Sequence, residues 1–180
     1  MIENREILIG ATGGIAVYKT AYLTSHLIQA GAHVSVVMTE SATRLVAPRT
    51  FEALTGRPVR ISLWDSDRPI PHVDLSQKAE LFCVVPATAN FIGKAANGIA
   101  DDLLSTIYLA FEGPVLIAPA MNTAMWNHPA VVRNVKRLIE DGVQIIGPES
   151  GFLSCGRSGI GRMSSPDDIF NAIDGYFHTA

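Results

Sequence analysis

A chain of 180 residues can bury a core without metal or disulfide staples, and 48% hydrophobic against 17% charged residues describes a compact globule. A net charge of −3 with no basic run leaves no electrostatic footprint for nucleic acid, and no stretch approaches the roughly 20 apolar residues of a membrane span. Glu3, Arg5 and Glu6 interrupt any N-terminal signal pattern, and two cysteines without zinc-ligand spacing exclude a disulfide framework and a metal site, which fits a reduced, cytoplasmic setting.

Along the chain, Ile7-Leu8-Ile9 reads as a first strand, followed by a helix over 15–30 that Gly31 closes. A second strand is expected over 34–37. Residues 65–71 read as a loop, because two prolines and three charges cannot continue a central strand. A third strand covers 82–85, where Cys83 is expected to be a small core residue. Helices follow over 90–97 and 102–111, then a strand over 115–117. Pro129 suits the first turn of a helix ending near 141, before Gly142 and a strand over 143–146. Ser165-Pro166-Asp167-Asp168 reads as the cap, first residue and acidic first turn of a final helix. This alternation predicts a doubly wound α/β fold: a mostly parallel sheet with helices on both faces, in one domain over 1–180.

In such folds, ligands gather at the C-terminal ends of the strands. There the chain places Thr12-Gly13-Gly14, Thr39-Glu40-Ser41, Thr88-Ala89-Asn90 and Ala120-Met121-Asn122. Small and hydroxylic turns opening helices are suited to phosphate. The first turn is Gly-x-x-Gly-Gly rather than the dinucleotide pattern, and no acidic residue stands at the ribose position, so a mononucleotide is favoured. Asn122 has two N–H donors and a carbonyl in one plane; it suits a carboxylate or amide, and equally the cap of the next helix. His26, His33, His128 and His178 are expected to be solvated or capping residues.

The stretch Pro119-Ala120-Met121-Asn122-Thr123-Ala124-Met125-Trp126 resembles the PxMNxxMW signature of the homo-oligomeric flavin-containing cysteine decarboxylases. The likeness runs through Gly10-Ala11-Thr12-Gly13-Gly14-Ile15-Ala16, Met38-Thr39-Glu40-Ser41, His72-Val73-Asp74-Leu75, Pro86-Ala87-Thr88-Ala89-Asn90 and 97–104 to Cys155-Gly156, nearly the whole chain. The resemblance implies FMN as cofactor, on Gly13, Gly14, Ile15, Thr39, Ser41, Thr88, Ala89, Asn90, Phe91 and Ala120. At Phe91 similar proteins often carry a small or hydroxylic residue. It implies His72 as acid/base, Asn122 as holder of the substrate carboxylate, and Cys155 as the proton donor that completes a redox-neutral reaction. Phe152, Leu153, Ser154 and Arg162 match a clamp over the substrate, and either Arg162 or Arg157 is a candidate for a substrate phosphate.

Within that family the pattern is most like the members that convert 4′-phosphopantothenoylcysteine to 4′-phosphopantetheine, a coenzyme A precursor. Oxidising the cysteine side chain to a thioaldehyde puts a C=S bond β to the carboxylate and provides the missing electron sink; the cofactor carries that step. The alternatives are a peptidyl-cysteine decarboxylase that leaves an enethiol on a ribosomal precursor peptide, a non-catalytic flavin-binding regulatory subunit, and a flavin prenyltransferase of similar fold. The last is disfavoured by the asparagine motif and the cysteine loop. The resemblance also implies a homotrimer, or a dodecamer of trimers, and a synthetase either fused to this domain or separate from it.

Overall fold

The computed structural model describes residues 2–64, 70–154 and 156–179. Five parallel strands form the central sheet: β1 (Glu6–Ala11), β2 (His33–Met38), β3 (Leu81–Ala87), β4 (Val115–Pro119) and β5 (Gln144–Ile145). Their order is β2-β1-β3-β4-β5. All seven residues of β3 are buried, as expected of a central parallel strand covered on both faces. Alternate residues divide the core. Ile7 and Ile9 face one layer with Leu23, Leu27, Phe51, Ile169 and Ile173, whereas Leu8, Phe82 and Val84 face Ile92, Leu104 and Leu138. Helices α1 (Val17–Gln29), α3 (Pro48–Thr55) and α9 (Pro166–Thr179) supply the first layer. Helices α4 (Pro71–Lys78), α5 (Ala89–Ala96), α6 (Leu103–Ala110) and α8 (Pro129–Glu140) supply the second. The one-turn helices α2 (Glu40–Thr43) and α7 (Thr123–Trp126) follow β2 and β4, and the antiparallel hairpin of β6 (Glu149–Phe152) and β7 (Ser158–Arg162) precedes α9. No helix among the described residues is long and apolar enough to cross a membrane.

The doubly wound parallel sheet is therefore as the alternating pattern predicts, and all five expected strands are present. Three local readings change. Of the expected loop over 65–71, residues 65–69 lie outside the described residues, and Pro71 begins α4 instead of ending a loop. A proline reads as a breaker in sequence, but at the first helical position its missing N–H has no bond to lose. Asp102 stands just outside its helix: it caps α6 through Ser105, and Lys94 bonds both Asp101 (2.6 Å) and Asp102 (2.7 Å). Burial alone would raise the Asp102 carboxyl, but Lys94 and the Ser105 groups hold it below its ordinary value. Strands β6 and β7 pair as a β-hairpin on either side of the expected cysteine loop.

Connections leave β1 toward β2 and β3 toward β4 in opposite directions along the sheet, which opens a crevice above the β1–β3 boundary. Thr12 closes the floor of this crevice. Its buried hydroxyl donates to the Pro86 carbonyl (2.6 Å) and accepts from the Thr88 N–H (3.2 Å), while Thr20 on α1 donates to the Val85 carbonyl (2.7 Å). Thr12→Val keeps the shape and leaves two backbone groups unpaired. It is expected to cost about 2–4 kcal/mol in urea unfolding with an unchanged m-value. A loss under half a kcal/mol would show that water replaces the hydroxyl.

Candidate active site

Above that floor lies a cavity of about 380 Å³, within the range of small-molecule sites. Four strand-end segments enclose it: the turn before α1, the turn before α5, the loop before α7, and the 149–162 hairpin.

The first turn is built for close approach. A Cβ on Gly13 would stand 2.5 Å from that of Ser41, and one on Gly14 would stand 3.3 Å from Pro86. Glycine here lets the backbone lie against α2 and β3. The backbone N–H groups of Gly13, Ile15 and Ala16 have no acceptor among the described residues, and Ala16 brings no capping side chain to α1. Three open donors at a helix start suit an anionic group. Thr39 and Thr88 each cap the helix that follows, accepting from the N–H of Ala42 (3.3 Å) and of Phe91 (3.4 Å). Thr88 and Ala89 line the cavity, whereas Thr39 and Ser41 flank it behind Gly13.

The loop after β4 carries the second polar feature. The Asn122 side-chain carbonyl accepts the Met125 N–H (2.9 Å) and caps α7, the second of the two uses open to it in the sequence. Capping fixes the plane of the amide and leaves Nδ2, which has no partner among the described residues, as the donor available to the cavity. The loop is pinned to the hairpin twice, by Met121 N–H to the Gly161 carbonyl (3.0 Å) and by the Thr123 hydroxyl to the Ile160 carbonyl (2.7 Å).

The hairpin closes the remaining side with Phe152, Leu153, Ser154 and Arg162. Leu153 is buried and Phe152 is 70% exposed, an aromatic ring at the rim of the cavity. The Arg162 guanidinium is already held by Glu149 at 3.0 Å. Arg157 is exposed and does not line the cavity, and Cys155 lies outside the described residues.

The structure thus gathers Gly13, Gly14, Ile15, Thr88, Ala89, Ala120, Asn122, Phe152, Leu153, Ser154 and Arg162 around one space. Phe91 departs from expectation: its ring is buried and packs edge-on to Tyr108 (5.9 Å), so only its capped N–H faces the turn. Asn90 is exposed and outside the lining. His72 sits in the first turn of α4, also outside the lining, with Nδ1 buried and unpaired among the described residues. Cys83 is fully buried as expected, and burial pushes its thiol far above the ordinary range, which removes it as a nucleophile. Among the other histidines, His128 caps α8 as expected, but His26 stacks on Phe170 at 4.1 Å.

The cavity also includes Tyr18, Lys19, Met121, Met125 and Met163, which the sequence reading missed. For Lys19 the signal was there: four residues after Ile15, it shares that residue's helix face. Among the described residues no Asp or Glu lines the cavity, although the protein as a whole is acidic.

An open α/β sheet with open helix-start amides and, among the described residues, no acid lining the cavity at its switch point has the features of a protein that binds a phosphorylated mononucleotide-type ligand. The sequence model of the Flavoprotein family matches residues 1–178, and the chain belongs to that family. It is 50% identical over 179 residues to the coenzyme A biosynthesis bifunctional protein CoaBC of Bacillus subtilis, covering 98% of this chain and 44% of that protein. The chain therefore spans under half the length of the curated relatives it matches. Among solved structures it resembles a cysteine-to-serine mutant of PPC decarboxylase complexed with pantothenoylaminoethenethiol, with TM-score 0.86, 30% identity, and coverage of 98% of this chain and 100% of the other. It also resembles the FMN-dependent cysteine decarboxylase SpaF, with TM-score 0.84, 35% identity, and coverage of 97% and 98%.

Proposed function

We propose that this chain is an FMN-dependent carboxy-lyase that decarboxylates 4′-phosphopantothenoylcysteine to 4′-phosphopantetheine, in the cytoplasm. The observation that carries the reading is Asn122. Its capped carbonyl leaves a fixed N–H₂ donor at a cavity that no carboxylate lines among the described residues, which suits recognition of a carboxylate. The matches to a CoaBC protein and to PPC decarboxylase support the choice of substrate.

FMN fits the residues present. The open amides of Gly13, Ile15 and Ala16, the cradle that Cβ atoms on Gly13 and Gly14 would fill, and the Thr39, Ser41 and Thr88 hydroxyls would hold its phosphate and ribityl chain, with Ala89 and Ala120 beside them. When bound, the flavin supplies the two-electron oxidation of the cysteine side chain that makes CO₂ a leaving group, and the hydride that restores saturation. The protein's share is orientation and protons. Asn122 holds the carboxylate through Nδ2. The hairpin, with Phe152 over the rim and Leu153 beneath, limits access of water. We assign His72 the proton taken as substrate is oxidised, at its buried ring edge, and Cys155 the proton returned at the end.

His72 does not line the cavity of its own chain, so its role needs another copy to complete the site. Ile15 just before α1, with Tyr18 and Tyr22 on it, each more than half exposed and the first two at the cavity, support such self-association, as a trimer or a dodecamer of trimers. A synthetase domain, fused or separate, would make the substrate.

The test is direct. Purified protein is expected to be yellow and to convert phosphopantothenoylcysteine to a product lighter by CO₂ alone. A product lighter by CO₂ and two hydrogens would move the chain to the enethiol-forming peptidyl-cysteine decarboxylases. A colourless protein that takes up no FMN would end the reading.

A further inference from the structure

We propose that Thr20 is a positioning residue of the cavity: with Thr12 it pins the turn between β1 and α1 to two successive carbonyls of β3, and so aims the open amides of that turn at the ligand's phosphate. The assignment deepens the flavin reading and rests on it for the identity of that ligand. Thr12 and Thr20 are both fully buried. The Thr12 hydroxyl donates to the Pro86 carbonyl (2.6 Å), and the Thr20 hydroxyl, from the start of α1, donates to the Val85 carbonyl (2.7 Å). Everything from Gly13 to Lys19 is held between those two bonds, including the amides of Gly13, Ile15 and Ala16 that have no acceptor among the described residues.

The two threonines attach where the sheet is irregular. β1 and β3 run in register as far as Gly10 and Val84, while β3 and β4 run to Val84 and Ile117 and resume at Ala87 and Pro119. Val85 and Pro86 therefore fall past the β1 register and inside the gap of the β4 register. Across that gap β3 carries one more residue than β4, as in a β-bulge, which leaves the ladder locally disrupted. The threonine hydroxyls fix this stretch from the side. Gly14 lies directly on it, since an added Cβ would stand 3.3 Å from Pro86 and 3.4 Å from Thr88, so a shift of the bulge carries the turn along. A helical threonine commonly returns its hydroxyl to a carbonyl of its own preceding turn, whereas Thr20 spends it on another element. One turn later, Thr24 is equally buried, and its hydroxyl has no partner among the described residues. Valine fills either position with nearly the same shape, but only at position 20 does it take a donor from a buried carbonyl.

The full chain is compared as wild type, Thr20→Val, Thr20→Ser and Thr24→Val. In the flavin-free chain, hydrogen exchange over residues 13–19, read by mass spectrometry, is expected to quicken by about tenfold in Thr20→Val and to stay as wild type in Thr20→Ser and Thr24→Val. By flavin fluorescence, Thr20→Val is expected to bind FMN roughly 5- to 30-fold more weakly, the size of one lost hydrogen bond, and riboflavin, which lacks the phosphate, within about twofold of wild type. Thr20→Ser restores FMN binding. A residue that only fills space gives the opposite order, because valine keeps the methyl group that serine removes. That opposite order, equal weakening of FMN and riboflavin in Thr20→Val, or unchanged exchange in Thr20→Val overturns the proposal. The exchange readout needs no ligand: faster exchange in Thr20→Val alone, with a wild type that takes up neither flavin, supports the brace and refutes the flavin reading.

Discussion

Asn122→Asp is expected to lower kcat/KM for phosphopantothenoylcysteine by about 10²- to 10⁴-fold, with little change in stability. The substituted carboxylate still offers an oxygen to the Met125 N–H, so α7 keeps its cap, and a negative charge at a helix N-terminus is favourable. What disappears is the Nδ2 donor. In its place stands an anion facing the substrate's own carboxylate, in a cavity that no other acid lines among the described residues. A lost charge-assisted hydrogen bond costs roughly 1.5–3 kcal/mol and the new repulsion adds to it. Asn122→Ala separates the two roles: it removes cap and donor together, costing about 1 kcal/mol of stability as well as activity. Steady-state kinetics with urea unfolding of both variants checks the pair. Near-wild-type kcat/KM in Asn122→Asp would mean that the amide serves α7 alone.

Gly161→Ala is expected to disable the site from behind. Gly161 adopts φ +135°, a backbone conformation that side chains rarely tolerate, and an added Cβ would fall on the carbonyl oxygen of Met121. The same residue accepts the Met121 N–H, so the clash lands on the contact that holds the hairpin to the Asn122 loop. The chain can relieve it only by separating hairpin from loop. Stability should fall by about 3 kcal/mol, and kcat/KM by about 10²-fold from a displacement near 1 Å. Gly56→Ala is the control. Gly56 also has positive φ (+65°) at the end of α3, but an added Cβ there meets nothing within 4 Å. It should cost about 1 kcal/mol and leave kinetics unchanged. If the two variants lose activity equally, the loss reflects global destabilisation and not the hairpin–loop contact.

Most of the sheet was legible because buried parallel strands are short apolar runs between helical patterns, and each such run here became a strand in the expected order of the chain. Gly31 and Gly142, both at positive φ, end their helices where the pattern placed them. Helix α4 was hidden by Pro71, which marks a loop in sequence and a helix start in space. The hairpin was hidden because its strands are glycine-rich and lack an alternating apolar face, their pairing being decided by contact with the α7 loop.

For the site, the chain alone determined which residue types stand at strand ends: the small turn at Gly13 and Gly14, the capping hydroxyls of Thr39 and Thr88, and the amide of Asn122. Local chemistry decides these, since caps and tight turns involve residues a few positions apart. Only the tertiary structure decided that Arg162 is occupied by Glu149 while Lys19 has no carboxylate partner among the described residues, that Phe91 belongs to the core, and that His72 stands apart from its own cavity. These depend on segments distant in sequence, and periodicity along one chain carries no record of which charges will be neutralised when its segments meet.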